Sequence, residues 1–151
     1  MTGLRLLTRC ALWVSAALLL VCVALPLSGC KELMEVSKEG QRLDDQLHAA
    51  MSRGDWDGIY ANADPQYREG ATAEKSRAYL SAVVRKLGNP TASKQTSWTL
   101  NTNTSGTFLR SECETTFATQ STGTETIVWR KSDGVYRLFS YNINSTDLIT
   151  R

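Results

Sequence analysis

The residue with the most definite chemistry is Cys30. It closes the run Leu27-Ser28-Gly29-Cys30, behind two arginines, Arg5 and Arg9, and a stretch from Cys10 to Leu27 that carries no charged side chain. That arrangement resembles a bacterial lipobox. Small residues ahead of a cysteine suit a signal peptidase pocket, so residues 1–29 read as a lipoprotein signal peptide. Cys30 then becomes the first residue of the mature chain, its sulfur carrying a diacylglyceryl group of palmitate type. The alternative is an uncleaved anchor, because the apolar run approaches the roughly 18 residues at which a spanning helix becomes plausible. Pro26 weighs against it by disfavouring helix through the segment before the cysteine. Two or three acyl chains would hold the protein stably, where one alone binds reversibly. Lys31 follows the cysteine in place of aspartate, which favours the outer membrane if the host is Gram-negative.

Acid–base chemistry has few residues to work with. His48 is the single histidine and flanks an apolar stripe, where a surface or satisfied boundary role is favoured over catalysis. Without it, Asp64, Glu112, Glu114 or Glu125 would have to act as a lone base. Glu112 and Glu114 alternate with Arg110 on one strand face and read more simply as a solvent-side charge ladder. There is no histidine or cysteine cluster with zinc spacing, no glycine-rich phosphate loop and no Gly-x-Ser-x-Gly turn, so no catalytic residue, metal or cofactor is assigned.

Removing 29 of 151 residues leaves 122, enough for one small domain, 30–151. Of the 17 basic side chains Arg5 and Arg9 leave with the signal segment, so 15 face the 15 acidic ones and the mature chain is formally neutral. Electrostatic binding of nucleic acid is accordingly not expected. Cys10 and Cys22 also leave, Cys30 is committed to lipid, and Cys113 remains as the one free thiol, expected to be buried.

These residues need elements to position them. From Glu32 to Arg53, Val36, Leu43, Leu47, Ala50 and Met51 recur at helical spacing with Gly40 on the same stripe, while Lys38, Glu39, Arg42, Asp45 and Gln46 form the opposite face. Gly54 ends this helix and Asp55 caps a short second one, Trp56 to about Asn62. Ala63 to Gly70, with Asp64-Pro65, has turn chemistry. Thr72 opens a third helix bearing Tyr79, Leu80, Val83, Val84 and Leu87, stopped by Gly88 and Pro90. Composition then shifts to threonine, serine and alternating β-formers. Four strands are expected, over about Lys94–Asn103, Thr107–Gln120, Glu125–Lys131 and Val135–Ile143. Leu109, Ser111, Cys113, Thr115 and Phe117 share one face of the second, and Ser132-Asp133-Gly134 makes a hairpin turn. The tail from Asn144 is expected to be ordered only in part.

Helix, short helix, helix and then antiparallel strands is an order that resembles the cone-shaped folds related to nuclear transport factor two. More particularly, Gly106-Thr107-Phe108-Leu109, Thr115-Thr116-Phe117, Glu125-Thr126-Ile127, Asp133-Gly134-Val135-Tyr136-Arg137-Leu138 and Tyr141-Asn142-Ile143 resemble a family of uncharacterised small secreted bacterial proteins, over roughly Leu43 to Ile143. The resemblance implies an α+β fold with three N-terminal helices packed on a curved four-stranded antiparallel sheet. It assigns no catalytic residue. It also implies an internal cavity, for which Trp56, Tyr60, Tyr79, Trp98, Phe117, Trp129 and Tyr141 are candidate lining residues, although core filling is the more common role of aromatics at such positions.

Together these features favour a lipid-anchored accessory or binding protein of the cell envelope over an enzyme. It would meet the membrane through the lipid on Cys30 and recognise an envelope protein or a small amphipathic ligand nearby. The alternative is a cavity enzyme of lyase or isomerase type using a lone carboxylate base, which requires a buried acid with a raised pKa.

Overall fold

The computed structural model describes residues 26–150, with backbone alone for 26–32. The signal-segment reading of residues 1–25 and the side chains of Leu27, Ser28, Gly29 and Cys30 therefore lie outside the described residues. The chain forms two units, Met1–Lys38 and Glu39–Arg151; what is described of the first is the opening of a helix that starts at Pro26. Among the described residues no helix is long and apolar enough to cross a membrane.

The fold is α+β: helices α1 (Pro26–Arg53), α2 (Trp56–Ala61), α3 (Pro65–Gly70) and α4 (Ala73–Leu87), strands β1 (Pro90–Asn103), β2 (Gly106–Phe117), β3 (Thr122–Ser132) and β4 (Val135–Asn144), and a last turn of helix, α5 (Asp147–Thr150). The strands form one open antiparallel sheet in the order β1-β2-β3-β4. The α1 helix starts six residues earlier than its apolar stripe predicts. Its first residue is Pro26, where a missing N–H leaves no hydrogen bond unmade.

Four described helices precede the sheet, not three, because Asp64-Pro65 opens a helix. The Asp64 carboxylate accepts from the Gln66 N–H at 2.9 Å and Pro65 supplies the preset φ of a first helical residue. Turn chemistry and helix-start chemistry are the same residues here. The Asp64 backbone N–H donates to the Leu138 carbonyl at 2.9 Å, which docks α3 onto β4 where the β3–β4 register slips by one residue between Val128 and Trp129. The other caps stand where the residues predict them: Gly54 after α1, Asp55 before α2 and Thr72 before α4.

Gly88 ends α4 at φ 84°, ψ −179°, a region open in practice only to glycine. A Cβ there would lie 2.9 Å from the Ala118 Cβ. Gly88→Ala should therefore lower the free energy of unfolding by about 1–3 kcal/mol, read from urea titration; an unchanged midpoint would show that this turn has another conformation at no cost.

On β2 the predicted face is buried throughout: Leu109, Ser111, Cys113, Thr115 and Phe117. It pairs in register with Glu125, Ile127 and Trp129 of β3, which are also buried, while Arg110 and Glu112 meet as an exposed ion pair at 2.8 Å on the other face. β2 ends at Phe117, three residues short of the expected Gln120, since Gln120 takes a positive φ of 65° and turns the chain. Asp133 and Gly134 carry φ of 53° and 79°, the twin positive values of a tight hairpin turn. The tail is tied down as α5, with Lys86 Nζ donating to the Leu148 carbonyl at 2.7 Å.

Candidate functional site

In the second unit α1 buries Gly40, Leu43, Asp44, Leu47, His48 and Met51, a stripe of helical period that places two titratable side chains one turn apart on the inward face. Both find partners on the sheet. His48 Nε2 lies 2.8 Å from Glu125 Oε2, and the same oxygen accepts from the Thr115 hydroxyl. The Tyr141 hydroxyl donates to Glu125 Oε1 at 2.6 Å. One turn earlier, Asp44 Oδ1 accepts from the Trp129 indole N–H at 2.8 Å, and Cys113 Sγ sits 3.7 Å from Oδ2. Ser93 and Gln95 of β1 extend the network to Thr115 and Ser111, at 3.0 and 3.1 Å. Glu125 is wholly buried, and among the described residues every buried side-chain nitrogen and oxygen has a hydrogen-bond partner.

Environment separates the two acids. Burial is the main influence on Glu125 and would raise its pKa, but the hydrogen bond and charge of His48, with the Thr115 and Tyr141 hydroxyls, outweigh it and hold the carboxyl below the ordinary glutamate value. Burial would likewise depress His48; the Glu125 hydrogen bond and charge, then the charge of Asp44, reverse that and raise it. Both shifts favour the imidazolium–carboxylate form of the pair. On Asp44 burial prevails over the Trp129 and Ser111 hydrogen bonds, and its pKa is raised. Burial next to Asp44 pushes the Cys113 thiol up to about 12, so this cysteine is an inert core thiol, as its alternation predicts.

The Trp129 ring, with its N–H fixed by Asp44, helps line a cleft of about 290 Å³ between α1, α2 and β4. Leu43, Leu47, Ala50, Ile59 and Leu138 supply apolar lining, while Gln46, Asp55, Asn62, Tyr136 and Arg137 bring polar groups. A separate hollow of about 420 Å³ is lined by Tyr79, Tyr141, Tyr67 and Phe139, with Tyr79 and Tyr141 edge to face at 6.1 Å.

The seven aromatic candidates therefore do not share one cavity. Trp129 borders the first cleft, and Tyr79 and Tyr141 the second hollow; Trp56, Tyr60, Trp98 and Phe117 line neither. Tyr60 donates to the Arg68 and Ala71 carbonyls at 3.3 and 3.1 Å, holding α2 to the end of α3. Trp98 is half-buried on the outer strand β1, and Phe117 is fully buried core. Of the carboxylates considered as lone bases, Asp64 is held by the Arg130 guanidinium through two contacts of 2.7 Å, and Glu112 and Glu114 lie outside the buried network. Among the described residues no three His, Cys, Asp or Glu converge as metal ligands. Asp44 is the site residue that reading the sequence overlooks. Its signal was present, because it lies four residues before His48 and four after Gly40, on the buried stripe.

Compared with known proteins, this chain matches no curated protein. The solved structure of Aln2 from a Streptomyces species is similar over 77% of this chain and 94% of that chain, at 18% identity and a TM-score of 0.48. The family described as Protein of unknown function (DUF4019) matches residues 45–141, well over half of the sequence, and the chain belongs to that family.

Proposed function

We propose that this protein is a lipid-anchored recognition module of the cell envelope that holds a small amphipathic ligand in the cleft beside Trp129. The observation that carries this reading is the contrast between the two polar regions of the fold. The buried acid–base residues have hydrogen-bond partners inside the fold, whereas the cleft has an apolar floor and a polar rim open to a ligand. A site that exposes surface and hides its acids is built to bind. The sheet with its helices suits a cone-like relative of the nuclear transport factor two fold, and the lipobox supplies the tether. With Lys31 after Cys30, the outer membrane is the expected destination in a Gram-negative host.

Two experiments test this. Cys30→Ala should move the protein out of the membrane fraction; unchanged fractionation would instead favour an uncleaved anchor. Native mass spectrometry of protein extracted from membranes should show a retained small molecule that is lost in Ala50→Trp, a substitution that fills the cleft. If both forms carry none, recognition does not use the cleft.

A second reading, a cavity enzyme with a lone carboxylate base, draws on Asp44. It is buried, its pKa is raised and its partner Trp129 borders the cleft. Against it, the Asp44 oxygens already accept from Trp129 and Cys113. Chemical conversion of the retained molecule, abolished by Asp44→Asn, would establish that reading over binding.

A further inference from the structure

Resting on the cleft reading above, we infer that the occupant is a small anionic amphiphile whose headgroup is held by Arg137. Arg137 stands directly opposite Arg130 in the β3–β4 register, and like charges facing across a strand pair destabilise it. The fold neutralises only one of the two. Arg130 is held by Asp64 and also donates to Gln66 Oε1 at 2.9 Å. Arg137 makes one long contact, from Nη1 to the Ser132 carbonyl at 3.4 Å, and among the described residues it pairs with no carboxylate. A guanidinium without a carboxylate partner, beside its like-charged neighbour and on the wall of a cleft, is a group suited to hold an anion.

The remaining charges around the cleft agree. Asp55 is the one carboxylate on its lining, and it is engaged as the cap of α2, accepting from the Gly58 N–H at 3.0 Å. An adjoining hollow shares Leu43, Gln46 and Tyr136 with the cleft and adds Glu39, Arg42 and Lys131. Glu39 and Arg42 cancel each other in an ion pair at 2.7 Å, and Lys131 lies over the Tyr136 ring at 5.3 Å from its centroid. The charge left uncompensated across both hollows is positive. At about 290 Å³ the cleft sits at the lower end of the range for small-ligand sites, about 300–1,000 Å³, so the apolar part must be short.

Calorimetric titration of the full chain in lipid nanodiscs, with empty nanodiscs as the blank, tests this with hexanoate, hexanol and hexylammonium. Hexanoate should bind at least about tenfold more tightly than hexanol, the effect of one charge-assisted hydrogen bond. Arg137→Gln should abolish that preference, bringing hexanoate and hexanol to the same affinity, and Arg137→Lys should restore part of it. Equal affinity for hexanoate and hexanol, or tighter binding of hexylammonium, would overturn the anion assignment and leave the cleft reading standing. If none of the three binds, or if filling the cleft with Ala50→Trp changes none of the affinities, the cleft reading itself fails. A thermal melt of Arg137→Gln at or above that of the parent protein, as relief of the Arg130–Arg137 repulsion predicts, separates lost recognition from lost folding.

Discussion

Glu125→Ala is expected to lower the free energy of unfolding by about 3–5 kcal/mol, the usual result of removing one partner from a buried ion pair. The loss has three parts. His48 loses the buried carboxylate that its ring nitrogen bonds and that favours its protonated form, and the Thr115 and Tyr141 hydroxyls lose their acceptor. Glu125→Gln retains the shape and an acceptor and should cost less, while a full loss in Glu125→Gln as well would assign the effect to charge alone. Urea unfolding with an unchanged slope is the measurement. An alanine variant within about 1 kcal/mol of the parent would mean that water enters and replaces the carboxylate.

The same pair makes a pH dependence whose sign follows from the two shifts. His48 is raised, so its contribution is complete below its ordinary value of 6.5 and is lost as pH rises through the folded-state value. Glu125 is lowered, so its contribution is complete above 4.5 and is lost as pH falls. Both are present in full between those limits. On the acid side Asp44 works the other way, because its raised pKa makes its ionisation destabilising as pH rises above 3.8. The alkaline limb is thus the cleaner one to read. Stability should fall as pH rises above 6.5, starting below the range above 9.0 where Cys113 adds its own loss, and His48→Gln should flatten that fall.

Trp129→Ala is the second large effect, at about 3–5 kcal/mol for truncating a buried aromatic side chain, with the additional loss of one wall of the cleft. It also leaves the Asp44 carboxylate without its indole donor. Trp129→Phe separates the two consequences. It keeps an aromatic ring on the apolar wall and removes the N–H together with the smaller ring of the indole, so it should retain ligand while losing about 1–3 kcal/mol for the unsatisfied acceptor beside the loss from the smaller ring. Asp44→Asn preserves an acceptor and should be milder still. If Trp129→Phe binds as the parent does and melts as the parent does, the Asp44–Trp129 hydrogen bond contributes nothing to either property.

Much of the local structure was legible because it depends on nearest neighbours along the chain. Thr72, Gly54 and Gly88 mark helix ends through hydrogen bonds and dihedrals within a few residues, and the alternation from Leu109 to Phe117 needs only a strand with one buried face. Asp64-Pro65 was ambiguous at that level: an aspartate before a proline serves a turn or a helix start equally, and the docking of Asp64 on Leu138, 74 positions away, goes with the helix.

The candidate site lies on the other side of that boundary. No residue close to His48 in the chain shows that it meets Glu125, since the two are 77 positions apart and their pairing depends on which helix face the sheet receives. Read alone, an acidic residue on an apolar stripe costs too much to bury, so Asp44 passes as surface; only a sheet that brings Trp129 and Cys113 to it makes burial tolerable. The sequence by itself determined the α+β class, the order of helices before four strands, the sharp turns and the lipobox-like motif, because propensity, periodicity and short motifs act locally. The tertiary structure alone decided which polar residues are buried together, that the aromatics divide between two hollows, and that Arg137 is left uncompensated. Those are sums of long-range contacts that no window of the sequence contains.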